Sequence, residues 1–264
     1  MLTAPQAILI AIRVPLLRAV SCLLASWLLA GCEQADPPVP AVAPPEVSTV
    51  VVWFEEQEPG VAPYRTRMIV TDKFVRMDDG GDGDDFVLFD RRDRSVRSVS
   101  HENRSIFTIP YRSVTMASPR VLETGARRES QDNAPPIGGV RPYHVELTVN
   151  GKVCTNVVSA QGLLPEATKA LREFHESLAG EHAANLEKTP EDMRSDCMLA
   201  NQVFFPTRHL EYGFPVREWD YRGFARALQN FETGVDVDES LFDIPEGYRD
   251  YSAGGGDDSS IPAS

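Results

Sequence analysis

Apolar and polar positions alternate along much of this chain. Over residues 48–55, 64–70, 74–77, 86–89, 95–99 and 105–109, β-branched and aromatic side chains form short runs separated by polar turn residues. That spacing predicts an antiparallel meander, because a period of two places one set of side chains on one face of a sheet. A further hairpin stands out at residues 143–158. There His144, Glu146 and Thr148 alternate with Val145, Leu147 and Val149, and Asn150-Gly151 supplies the positive φ angles of a tight type I′ turn. Residues 123–139, polar and carrying Pro135, Pro136 and paired glycines, read as a mobile loop between the two patterns.

The period then changes. Leu164, Ala167, Leu171, Phe174 and Leu178 recur at helical spacing, and Pro165 stands where a first-turn proline is tolerated. This predicts an amphipathic helix that ends near Gly180 or continues to Leu186. Thr189-Pro190-Glu191-Asp192 reads as the start of a second helix, with a hydroxyl cap, a proline and early acids, and places Cys197 on about its second turn. Strand character returns at residues 203–205, 215–219 and 224–231, the last two as a hairpin, and residues 241–248 close the domain. The tail, 251–264, cannot build a core and is expected to be disordered. The fold class that follows for residues 47–250 is α+β: a curved, mainly antiparallel, half-open β-barrel or sheet with two helices inserted between strands.

Ahead of this body, Arg13 and Arg18 precede an apolar run over residues 19–30 that ends in Leu29-Ala30-Gly31-Cys32. Basic, then apolar, then small is the layout of a secretory signal, and the run is shorter than the roughly 20 residues of a membrane span. Its last four residues resemble the lipobox of bacterial lipoproteins. The resemblance implies that residues 1–31 are a signal peptide cut before Cys32, whose thiol takes a diacylglycerol while the new amino terminus takes an acyl chain such as palmitate. Residues 32–46, with the stretch DPPVPAVAPP, then read as a proline-rich extended tether. Several acyl chains hold firmly, since each buried methylene contributes about 0.8 kcal/mol. Glu33 and Gln34 follow the cysteine where many lipoproteins retained on the inner membrane carry an aspartate. The expected location is therefore the outer membrane, facing the periplasm, with the membrane as the first partner.

Charge and cysteine usage narrow the chemistry. With 26 basic and 39 acidic residues the net charge is −13, which repels polyanions, so no nucleic-acid partner is expected. Cys22 leaves with the signal and Cys32 takes lipid; Cys154 and Cys197 remain, and a lone pair in an oxidising compartment predicts a disulfide. That bridge would staple the second helix to the hairpin strand. The acidic run 78–85, DDGGDGDD, fails as a calcium loop of the EF-hand type because Gly80 falls at the third position and Phe89 at the twelfth, where a glutamate belongs. A hairpin tip accounts for it. None of the five histidines has a metal-binding spacing, and His175 and His182, seven apart on a helix, read as surface residues. No G-x-S-x-G elbow, glycine-rich phosphate loop or S-x-x-K motif occurs. The expectation is a non-enzymatic chain with no catalytic residue, metal or cofactor.

The strand run after the lipobox contains Arg67-Met68-Ile69-Val70, Phe74-Val75-Arg76-Met77-Asp78, Phe89-Asp90 and Ile106-Phe107. The chain closes on Leu241-Phe242-x-Ile244-Pro245-x-Gly247-Tyr248. Together these resemble the lipoprotein carrier and receptor superfamily, the LolA/LolB type. The resemblance implies a curved half-open barrel with helices across its mouth, enclosing an apolar cavity for acyl chains. On that basis Leu171 and Phe174 are expected to face a cavity, and an acyl chain, lipid or lipoprotein is the expected ligand. The alternative is a cell-envelope interaction or scaffold protein with a filled core.

Overall fold

The computed structural model describes residues 49–131 and 133–253; Cys32, the signal, the tether and residues 254–264 lie outside the described residues. The meander forms as β1 (Val50–Gln57), β2 (Tyr64–Val70), β3 (Phe74–Asp78), β4 (Phe86–Asp90), β5 (Ser95–Ser100) and β6 (Ser105–Ile109). There follow β7 (Thr124–Ser130), β8 (Tyr143–Val149) and β9 (Lys152–Ala160), then helices α1 (Pro165–Ala184) and α2 (Asp196–Met198). The last strands are β10 (Phe214–Asp220), β11 (Ala225–Thr233) and β12 (Arg249–Ser252). They make one open, curved, 12-stranded sheet in the order β12-β6-β5-β4-β3-β2-β1-β11-β10-β9-β8-β7. The parallel pair is β12 with β6; the other named pairings are antiparallel.

Curvature has local causes. Register shifts at Trp53/Phe54, Leu147/Thr148 and Pro215/Arg217 mark bulges, which bend a strand and increase its twist. Pro215 sits at one of them, where a missing N–H is tolerated. Helix α1 lies across one face of the bent sheet. Its Ala167, Ala170 and Leu171 pack with Val50, Val52 and Phe54 of β1, Met68 and Val70 of β2, Phe89 of β4 and Phe214 of β10 in the main core. Alternating strand positions meeting one helical stripe is what the two periods required. The opposite face of β4 to β6 carries Phe86, Leu88, Val99 and Ile106, covered by Phe242, Ile244 and Tyr248 of the closing segment. Phe242 stacks on Phe74 at 5.4 Å, and the Tyr248 hydroxyl meets His101 Nδ1 at 2.8 Å.

Cys154 of β9 and Cys197 of α2 are fully buried and joined in a disulfide, with a Cα–Cα distance of 5.2 Å. The acidic run is a hairpin tip between β3 and β4. Its first residue, Asp78, is buried and accepts from Arg67 at 2.9 Å, from Arg76 Nε at 2.6 Å and from the Gly80 amide at 2.9 Å. Burial pushes the Asp78 pKa up, but the bonds from Arg67 and Arg76 outweigh it and hold the group below its ordinary range.

Four local expectations need correction. Residues 124–130, read as mobile loop, are strand β7: Arg127 pairs with Glu146 at 3.2 Å, and Arg128 lies over the Tyr143 ring at 3.4 Å, so a polar edge strand gains its partners from β8. The helix expected from Thr189 is broken. Residues Glu191–Met193 make one 3-10 turn, and the Arg194 guanidinium donates to the carbonyls of Thr189 and Glu187; Ser195 then caps α2 by accepting from the Met198 amide, so Cys197 falls in the first turn. Residues 203–205 are not a strand, because Leu199–Phe204 continue α2 as a π-helical turn with Leu199, Ala200 and Val203 buried. Residues 251–253, read as part of the tail, belong to the fold. Tyr251 and Ser252 belong to β12, and Ala253 is buried with its amide bonded to the Thr108 carbonyl at 2.8 Å.

Candidate functional site

The interval between α1, the π-helical turn and the β10–β11 turn is not filled. Leu178 and His175 from α1, Met198, Asn201 and Gln202 from α2 and its continuation, His209, and Glu218 with Phe224 from the hairpin enclose a cavity of about 260 Å³. The π turn contributes to this shape. Its wider winding buries Leu199 and Val203 while Asn201 and Gln202 line the space, and π turns recur at functional sites. Asn201 is fixed by donating to the Thr155 hydroxyl at 2.8 Å, and His182 Nδ1 lies 3.1 Å from the Gln202 carbonyl.

The polar wall is built on imidazoles. His175 and His209 meet edge to face with ring centroids 5.1 Å apart. Burial pushes both down to about 3; for His175 the neighbouring His209 adds to this, and for His209 the cations Arg226, Arg172 and Arg208 add to it. Glu218 stands 4.0 Å from His209 Nε2, but its carboxylate is committed to Arg226 at 2.7 Å and does not hold a proton on the imidazole. At neutral pH the site therefore presents uncharged rings that can each donate and accept, beside the apolar Leu178, Met198 and Phe224. The charged lining residues pair off, Glu218 with Arg226 and Asp220 with Arg222, each at 2.7 Å, so the surface suits an uncharged polar group on an apolar body. Among the described residues, no cluster of three or more His, Cys, Asp or Glu side chains is arranged to hold a metal ion.

The residues expected to form the site are placed differently. Leu171 is buried in the main core, and Phe174 packs on that core with its ring 5.7 Å from Phe89; neither lines this cavity. Helical periodicity identifies them as inward-facing but does not distinguish a packed interior from a lined one. His175 and His182, read as surface residues, are partly buried and line the cavity with His209. Their spacing of seven is the one signal the sequence held, and His209 joins them only through the tertiary fold.

No family model and no curated protein matches the chain. Among solved structures it is similar to an uncharacterised conserved protein from Thermus thermophilus, at 8% identity and a TM-score of 0.42, over 78% of this chain and 91% of that one. It is also similar to PNGF-II, at 10% identity and a TM-score of 0.39, over 78% of this chain and 31% of that one. Likenesses this distant carry no argument about what the chain does.

Proposed function

We propose that this chain is a lipid-anchored protein of the outer membrane, facing the periplasm through the Cys32 anchor and the proline-rich tether, and that it binds an acyl-bearing ligand. One observation carries the reading: the 260 Å³ cavity under α1, apolar along Leu178, Met198 and Phe224 and uncharged at His175 and His209. A helix across a bent sheet with an opening beneath it is the arrangement that the resemblance to the lipoprotein carrier and receptor superfamily implies. The ligand's chain would lie along the apolar wall and its ester or amide would bond the imidazoles.

The second reading, an envelope scaffold without a ligand, is favoured by the packed core around Leu171 and Phe214. Melting the purified chain with and without an added monoacylglycerol separates the two. Binding to the folded state alone adds about 2.7 kcal/mol at a hundredfold excess over Kd, which raises the melting temperature by several degrees. No shift with any acyl ester leaves the scaffold.

A further inference from the structure

A second cavity, of about 520 Å³, lies where β7 meets the segment after the π turn, and Arg208 lines it. Arg208 is only 9% exposed. Its Nη1 donates to the Thr148 carbonyl at 2.9 Å, whereas Nε and Nη2, the other edge of the fork, are buried and have no hydrogen-bond partner among the described residues. Burial pushes this guanidinium down from its ordinary range, with the charge of Glu211 opposing. It still carries its proton, since arginine does not lose it in proteins. A buried cation with one edge unsatisfied is costly, and a planar oxyanion on the Nε–Nη2 edge is the partner that relieves it.

We infer that this cavity is a binding site for a monoanionic carboxylate carried on an apolar body, with Arg208 as its anchor. An apolar body fits one side of the wall, where Phe204, Phe205 and Tyr212 line the cavity with Arg208, the rest of the wall including the polar Thr124 and Thr207. A single charge is preferred because Glu211 lines the same cavity, with Glu176 there paired to Arg94 at 2.9 Å, and carboxylates repel a dianion such as a phosphate monoester more strongly than a monoanion. The orphaned edge is screened from bulk water. Phe205, 41% exposed, lines the same cavity. The site adjoins the imidazole cavity, Pro206 lining both, but does not rest on the acyl-ester reading.

The test is calorimetric titration of the full chain with octanoate, octanol and octyl phosphate. Octanoate is expected to bind at least ten times more tightly than either of the others. Arg208→Met, which exchanges the lone cation for an apolar side chain of similar length, is expected to abolish that preference, and Arg208→Lys to restore only part of it because an ammonium cannot bond a carboxylate through a fork. In the wild type, the Arg208 Nε–H NMR signal is expected to shift downfield with octanoate and to stay in place with octanol, a readout that needs no variant. Equal affinity for octanoate and octanol, or an unmoved Nε–H signal at saturation, overturns the proposal. So does octanoate binding that survives Arg208→Met but is lost in Leu178→Arg, since that assigns the acid to the imidazole cavity.

Discussion

Gly180 of α1 lies directly against the backbone of Arg112: a Cβ on the glycine would stand 1.8 Å from the Arg112 carbonyl oxygen. The connection from β6 to β7 crosses the helix at this point, and Arg112 continues the contact by donating to the Ala253 carbonyl at 3.0 Å. Within a helix, glycine to alanine ordinarily stabilises by about 1 kcal/mol. Here the sign reverses. Gly180→Ala is expected to cost about 1–3 kcal/mol through forced displacement of the crossing strand of backbone, read as a lower urea midpoint with an unchanged slope. A higher midpoint contradicts this packing.

The bridge between Cys154 and Cys197 closes a loop with a sequence separation of 43. The chain-entropy relation gives about 4 kcal/mol for a loop of that size. Both sulfurs are buried, so native protein is expected to titrate no free thiol at these positions until it is unfolded and reduced. The paired change Cys154→Ala with Cys197→Ala is expected to lower stability by about 2–5 kcal/mol. Thiols reacting in the native, unreduced chain would refute the bridge.

Acid should weaken the fold through the cavity histidines. His175 and His209 have folded pKa values near 3 against 6.5 for free imidazole, so the unfolded chain binds more protons than the folded one between those values. Stability from this source is complete above about pH 6.5 and falls as pH drops toward 3, by up to about 1.4 kcal/mol per pH unit for each ring. Urea melts at pH 7.5, 6.0 and 5.0 should show that decline. His209→Asn should roughly halve the slope, since His175 remains; an equally steep profile in the variant would locate the effect elsewhere.

Residue patterns made some of this molecule legible and hid the rest for physical reasons. The alternation in β1 to β6, the Asn150-Gly151 turn with φ of 49° and 75°, and the stripe on α1 are local properties, and each forms where its period places it. The disulfide was legible as the pair left over once the expected signal and lipid anchor claim Cys22 and Cys32, in an expected oxidising compartment. β7 escaped because its stabilising charges sit on another strand: Arg127 needs Glu146, nineteen positions on. The π turn escaped because Val203-Phe204-Phe205 has the composition of a strand, and only its packing against α1 makes it helical. The cavity escaped since three histidines from positions 175, 182 and 209 share no motif.

Asp78 supports two arginines from one carboxylate, and Arg76 in turn donates to the Leu241 carbonyl at 2.6 Å, tying the acidic hairpin to the closing segment. Asp78→Ala leaves a buried Arg76 without its counter-charge and is expected to cost about 3–5 kcal/mol. Hydrogen exchange should then rise in residues 241–248 as well as in the hairpin. Exchange confined to the hairpin would show that the segment is held independently.

The most direct measurement is mass spectrometry of lipid extracted from the full chain, purified without added lipid and counted apart from lipid bound covalently. The wild type is expected to release close to one acyl-bearing molecule per chain. Leu178→Arg, which sets a charge in the wall of the imidazole cavity, is expected to release less than a tenth of that while keeping its fold by circular dichroism. A wild type that releases no acyl compound, or a variant that releases as much, contradicts ligand binding in this cavity.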